Sequence, residues 1–201
     1  MKRFGLVVAL GLVLGCLGGC KGKELENLEI VDGHEMINQE ILINETNFPD
    51  EIFRKYVADN YDKDANGRLS GEEKSVRVEF DLSGMGISDL KGIECFLGIL
   101  RLRCQDNQLT ELDLSKNTLL SYVECSRNKL EKLIIRANKV NILLCDDNRL
   151  KELDLSGLPE LELVDCSNNQ LTELNLSNCR NEVNVTADEG VNIIRPTKAE
   201  E

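Results

Sequence analysis

The stretch ILRLRCQDNQL, Ile99–Leu109, recurs in register as LSYVECSRNKL (120–130), VNILLCDDNRL (140–150) and LELVDCSNNQL (161–171). All four share the form L-x-x-L-x-C-x-x-N-x-L, with Ile or Val also serving at the apolar positions. The shared asparagines, Asn107, Asn128, Asn148 and Asn169, stand 21, 20 and 21 residues apart. Such a period marks a stack of similar coils, in which no coil buries its apolar edge alone and each depends on its neighbours.

A second pattern is nested between these copies. LTELDLSKNTL (109–119) has the same spacing, LTELNLSNC (171–179) repeats its first part, and LKELDLSGLPEL (150–161) follows it with Leu158 in place of the Asn. Val78 to about Val185 therefore resembles bacterial leucine-rich-repeat proteins, in a compact class whose coils have no room for a convex helix. The first copy differs. DLSGMGISDLKGIECFLGIL (81–100) sets Leu82 22 residues before Cys104 and carries Met85 in place of the Asn. It resembles the opening repeat of internalin-like proteins, which implies a short convex helix over SDLKGIECF (88–96). The expected fold class is an α/β solenoid, a parallel β array with an N-terminal helix-and-loop cap.

In such an array the consensus Leu, Val and Cys point inward. The Asn side chains form a ladder that satisfies buried backbone groups at each bend. Cys104, Cys125, Cys145 and Cys166 share one repeated position. Residues stacked on neighbouring strands sit ~4.8 Å apart with parallel side chains, whereas a disulfide needs Cβ atoms ~3.8 Å apart and inclined. No C-x-x-C convergence suggests a thiolate metal site. Buried free thiols are expected there, and pairing of Cys95 with Cys179 is left open.

Upstream of the array, TNFPDEIFRKYVADNY (46–61) reads as an amphipathic helix. Phe53, Val57 and Tyr61 form its apolar stripe with Tyr56 alongside, Asn47 is a candidate cap, and Asp50 and Glu51 suit the positive helix end. It runs into DKDANGRLSGEE, Asp62–Glu73. Calcium takes six to eight oxygens, and this register offers them. Asp62, Asp64 and Asn66 supply side-chain oxygens, Arg68 a backbone carbonyl, Ser70 an oxygen directly or through water, and Glu73 both carboxylate oxygens. Gly67 permits the sharp turn. The loop matches the EF-hand pattern at every ligand position, which implies calcium as the cofactor. Two features depart from that family. The exit helix is cut short by strand alternation from Val76, and no second loop is visible to pair with Leu69, so Leu69 is expected to bury itself against the first repeat. A structural site of modest affinity is expected, not a sensor.

At the start of the chain, Lys2 and Arg3 precede an apolar and glycine-rich run, Phe4–Gly15, and then LGGC, Leu17–Cys20. This resembles the signal and lipobox of bacterial lipoproteins, and implies cleavage before Cys20, lipidation of its thiol, and display on the outer face of the membrane. The competing VLGC (13–16) places bulky Leu14 where a small residue is preferred. An uncleaved anchor or an ordinary secretory signal fits less well, because the run is short for a span. The expected organisation is residues 1–19 signal peptide, 20–45 tether with LEIVDG and EILIN as possible short strands, 46–77 cap, 78–185 repeats, and 186–201 C-terminal cap and tail.

The formal net charge of −12 argues against nucleic acid or an anionic membrane surface as partner. Aromatics are only 4% and Trp is absent, so aliphatic packing must form the core. The single histidine, His34, lies in the tether, where a Ser-His-Asp or Cys-His arrangement has no partner. No enzyme is expected. Arg101, Tyr122, Ile142 and Leu163 precede the second apolar position of each copy, and with Leu144 they would form an outward stripe. Glu111, Asp113, Glu152, Asp154 and Glu173 would form an acidic face. The expected function is binding of a protein or glycan at the cell surface by a monomer, with a structural envelope spacer as the alternative.

Overall fold

The structure, a computed structural model, describes residues 28–31, 34–37, 40–180 and 182–196. The expected signal peptide, the start of the expected tether (20–27) and the tail from residue 197 lie outside the described residues. Leu28–Val31 (β1) and His34–Ile37 (β2) form an antiparallel hairpin. Ile41–Leu42 (β3) precedes helix α1, Glu51–Tyr61. Phe53, Val57 and Tyr61 are the buried stripe of α1. Its cap is Asp50, not Asn47: Asp50 Oδ1 accepts the Phe53 amide at 2.9 Å. Asn47 instead donates through Nδ2 to the Leu42 carbonyl.

The loop after α1 leads into Arg68–Leu69 (β4) and a five-residue helix, α2, Gly71–Ser75. Val76 is extended and ends α2, so the strand expected from Val76 begins two residues later, as Val78–Asp81 (β5). The expected convex helix of the first repeat is one 3-10 turn, Ile93–Cys95.

From there the strands fall alternately on two faces. Ile99–Arg103 (β6), Tyr122–Glu124 (β8), Ile142–Leu144 (β10), Leu163–Asp165 (β11) and Asn184–Thr186 (β13) continue from β5 as one six-stranded parallel sheet. The nested half-units supply the opposite face: Glu111–Leu114 (β7) pairs with Lys132–Ile135 (β9), and Glu173–Asn175 (β12) with Asn192–Ile194 (β14). An isolated bridge, Asp154 to Asn175, carries that face between the two pairs. The array thus runs past residue 185 to Ile194, and the closing segment is a last coil. Val185, Ala187 and Val191 are its partly buried inward residues.

Between the faces lies a continuous aliphatic core containing Leu102, Val123, Leu143 and Val164 from one sheet and Leu112, Leu133, Leu153 and Leu174 from the other side. The few aromatics are concentrated at the N-terminal end. Phe80 and Phe96 lie 5.0 Å apart between ring centroids, and Tyr61 stacks on both at 4.9 and 5.0 Å. Rings are bulky enough to fill the space between a helix and an open solenoid end, where stacked leucines have no next coil to meet. Helix α1 is thereby a cap on the first coil.

At each bend of the array the residue before the ladder Asn is left-handed: Asp106, Arg127, Asp147 and Asn168 have φ of 58, 53 or close to it. The following Asn then turns inward. Asn128 Nδ2 donates to the carbonyls of Cys104 and Cys125, at 2.9 and 3.1 Å, and so joins two coils. Asn107, Asn148 and Asn169 repeat the arrangement.

Candidate calcium loop and sheet surface

The loop between α1 and α2 is shaped by its own carboxylates. Asp62 accepts the amides of Asn66 at 3.0 Å and Gly67 at 2.9 Å, one on each oxygen. Asp64 accepts the side-chain amide of Asn66 at 2.8 Å, and Asn66 Oδ1 accepts the Arg68 amide at 2.7 Å. Gly67 has φ of 76 with open space where a Cβ would stand, so glycine is needed for conformation and not for room. Ala65 is left-handed as well.

Glu73 closes the loop. It is 8% exposed. One oxygen accepts the Lys63 amide at 2.8 Å; the other accepts the amide and hydroxyl of Ser70, both at 2.8 Å. Ser70 in turn caps α2 in a capping box. Burial alone would raise the Glu73 carboxyl, but the hydrogen bonds from Ser70 and Lys63 outweigh it and hold the group below its ordinary range. A carboxylate that stays ionised while nearly buried is the anchor a hard cation requires.

Ligand oxygens of Asp62, Asp64 and Glu73 lie within 4.8 Å of one another. With Asn66, Ser70 and the Arg68 carbonyl in the same twelve residues, the donors are all oxygen, as a hard divalent cation requires, and the residues present fit calcium. Leu69 is fully buried in the core, as expected from the missing partner loop. Its backbone partner is one the sequence reading missed. Strand β3 pairs antiparallel with β4, Ile41 opposite Leu69 and Leu42 opposite Arg68, and the Ile43 amide donates to the Gly67 carbonyl at 3.0 Å. Residues 40–45 are therefore part of the cap and not of a tether. The aliphatic pair in EILIN was the available signal.

On the six-stranded sheet, Glu79, Arg101, Tyr122, Ile142, Leu163 and Asn184 pair in one register across the strands. Arg101, Tyr122, Ile142 and Leu163 are all half-buried, each packed between its neighbours. Leu144 belongs to the adjacent row, two residues along, between Glu124 and Asp165. The Arg101 guanidinium lies over the Tyr122 ring, 4.7 Å from its centroid, and that of Arg103 at 5.5 Å. Tyr122 donates to Glu124 at 2.7 Å, and Glu124 faces Arg103 at 3.8 Å. The face therefore has a charge-balanced end around Tyr122 and an aliphatic middle at Ile142, Leu144 and Leu163. On the opposite side Glu111, Asp113, Glu152, Asp154 and Glu173 are all exposed. Lys132 and Ile134, opposite Glu111 and Asp113, interrupt the acidic run.

Cys104, Cys125, Cys145 and Cys166 are buried and free, and no disulfide joins Cys95 to Cys179. Burial pushes the ladder thiols up, Cys166 to about 11 and the other three further. The proposed lipidation site, Cys20, lies outside the described residues, among which no helix is long and apolar enough to cross a membrane.

No family model matches the chain. It is 37% identical over 71 residues to Internalin J of Listeria monocytogenes serotype 4b, across 35% of this chain and 8% of that protein. The solved functional domain of InlJ from Listeria monocytogenes, described as including a cysteine ladder, superposes with a TM-score of 0.63 at 36% identity, covering 70% of this chain and 31% of that one. The fold is that of the internalin-like leucine-rich repeats. A further internalin, inlF of the same species, superposes with a TM-score of 0.48 at 17% identity, covering 78% of this chain and 58% of that one. The chain spans under a third of the internalin J domain and far less of the whole relative.

Proposed function

We propose that this chain is a surface-displayed, internalin-like binding protein that recognises a protein, or a glycan, through its six-stranded sheet. One observation carries the reading: Arg101, Tyr122, Ile142 and Leu163 stand in a single half-buried register across four adjacent strands. A contiguous surface of aromatic, arginine and aliphatic side chains has the composition of an interface centre. The charged groups at its Tyr122 end, Glu79, Arg101, Arg103 and Glu124, offset one another's charge at 3.8–4.0 Å and leave donors for a partner's acceptors. Removing the apolar centre tests this. With Tyr122, Ile142 and Leu163 all changed to Ser, retention of envelope or host-surface proteins on the immobilised chain should be lost while the thermal melt is nearly unchanged. Equal retention by both chains would overturn the reading.

The twelve-residue loop, in this proposal, holds calcium through Asp62, Asp64, Asn66, the Arg68 carbonyl, Ser70 and Glu73, and the ion stiffens the cap over the first coil. Lipidation at Cys20 would place the chain on the outer face of the membrane. Affinity in the range of extracellular calcium modules, about 10⁻⁴ to 10⁻³ M, is sufficient for a structural role. Calorimetry should give heat of binding and a melt that rises with calcium, both lost in Asp62→Ala with Glu73→Ala. No heat in the unaltered chain would rule out the assignment.

A further inference from the structure

We propose that strand β3, Ile41–Leu42, together with the following Ile43, is a positioning part of the calcium loop, so that ion binding and docking of this segment are thermodynamically coupled. The inference rests on the calcium reading above and goes beyond it. The middle of the loop must present the Arg68 carbonyl. The loop residues on either side of that group are held by side chains: Asp62 takes the amides of Asn66 and Gly67, Asn66 takes the Arg68 amide, and Glu73 takes the Ser70 amide. The outer edge of Gly67–Leu69 is hydrogen-bonded by backbone, through the pairing of Ile41 with Leu69 and Leu42 with Arg68 and the Ile43-to-Gly67 bond. Among the described residues no second loop occupies that edge.

Two-residue ladders are marginal by themselves. This one gains from the partly buried side chains of Ile41 and Ile43 against the core and from a half-exposed Arg68–Glu40 ion pair at 3.6 Å. On the far side, Asn44 folds the chain back by accepting the amides of Thr46 and Asn47, which delivers it to Asp50 and α1. Among the described residues the strand is therefore a point at which the chain around Glu40 is fastened to the cap. An ion that orders Gly67–Leu69 makes the strand's partner rigid, and a docked strand makes the Arg68 carbonyl ready for the ion. By reciprocity each raises the affinity of the other by the same factor. Calcium then sets how firmly the upstream segment is held against the repeats.

The test is amide hydrogen exchange on the full chain, in calcium and in chelator, beside calorimetry on the same sample. Exchange at Ile43 should slow by about tenfold with calcium, while Val123, in the centre of the repeat sheet, is unchanged. Ile43→Pro removes the donor to Gly67 and should weaken calcium binding by about tenfold; Ile43→Val keeps the donor and most of the packing and should leave it unaltered. Heat of calcium binding with unchanged exchange at Ile43 would overturn the coupling and leave the calcium site standing. Absence of heat in the unaltered chain would overturn both. Equal calcium affinity in Ile43→Pro and the unaltered chain would also defeat the coupling.

Discussion

Asn148 reaches back one coil to Leu130: its Oδ1 accepts the Leu130 amide at 2.9 Å. Its Nδ2 donates to the carbonyls of Cys125 and Cys145. One side chain thus satisfies buried backbone on two coils, and it is itself 8% exposed. Each buried polar group left without a partner costs about 1–3 kcal/mol. Asn148→Ala should therefore lower unfolding free energy by about 2–4 kcal/mol. Asn148→Asp should be no better, because it replaces the donor with a charged acceptor facing carbonyl oxygens. Urea unfolding measures both. A loss under about 0.5 kcal/mol for either would show that the ladder bonds are replaced by water.

Asp50 joins the cap helix to the array. Besides capping α1, its second oxygen accepts the amide and hydroxyl of Ser88 at 2.8 and 2.9 Å. Burial would raise its carboxyl, but the bonds from Ser88 and Phe53 hold it below the ordinary value, as the Ser70 and Lys63 bonds do for Glu73. A depressed folded-state pKa stabilises the fold above the unfolded pKa, and the stabilisation is lost as pH falls through the folded one. In chelator, Tm should be flat from about pH 7 to 5 and fall below about pH 4. Asp50→Asn should reduce that acid-side slope, and Asp50→Ala should cost about 1–2 kcal/mol at neutral pH. An acid limb unchanged in Asp50→Asn would mean other carboxylates carry it.

The repeat array was legible because its constraint is periodic: Cys104 and Asn107 announce a bend that recurs at Cys125 and Asn128. The half-units around Leu112 and Leu133 were legible for the same reason. What escaped was non-periodic. Asp50 and Asn47 are both good caps by residue type, and the contacts that separate them, Ser88 on Asp50 and Leu42 on Asn47, are not visible in the local pattern. The pairing of Ile41 with Leu69 joins a segment without strong pattern to a two-residue strand, and nothing local to either specifies the other. Leu144 is outward on the same face as Ile142, as expected, but as a half-buried residue of the next row it lies between Glu124 and Asp165. The candidate loop residues were readable because they fall within twelve consecutive positions, and the structure brings the oxygens of Asp62, Asp64 and Glu73 within 4.8 Å of one another.

Gly92 and Gly190 separate space from conformation. Both are left-handed, with φ of 103 and 92. A Cβ on Gly190 meets nothing within 4 Å, so Gly190→Ala should cost only backbone strain, about 1–2 kcal/mol. A Cβ on Gly92 would lie 2.3 Å from Phe48 Cδ1 and 2.8 Å from the Asn47 carbonyl oxygen. Phe48 is fully buried beside Phe53 and has nowhere to go. Gly92→Ala should therefore add a packing cost of about 1–3 kcal/mol to its strain and loosen α1 selectively. Thermal melts of the two variants, with exchange at α1 amides, distinguish the cases. Equal Tm loss in both would mean that Phe48 moves freely.

The cysteine ladder makes an alkaline-side prediction. Burial raises the thiols of Cys104, Cys125, Cys145 and Cys166, so each stays protonated in the folded chain at pH values where it ionises in the unfolded one. A raised folded-state pKa gives stability that is complete below the unfolded pKa and is lost as pH rises above it. Unfolding free energy should accordingly fall above about pH 8.5. Cys104→Ala with Cys125→Ala should flatten that alkaline limb, at the cost of a small cavity on two adjacent coils. At pH 8 the four thiols should react with a thiol reagent no faster than the chain unfolds, because the thiolate is the reactive form and none is accessible in the folded core. Labelling of Cys125 that is proportional to reagent concentration and independent of denaturant would mean the core opens without unfolding, and the stacked position would then be a reactive site and not packing.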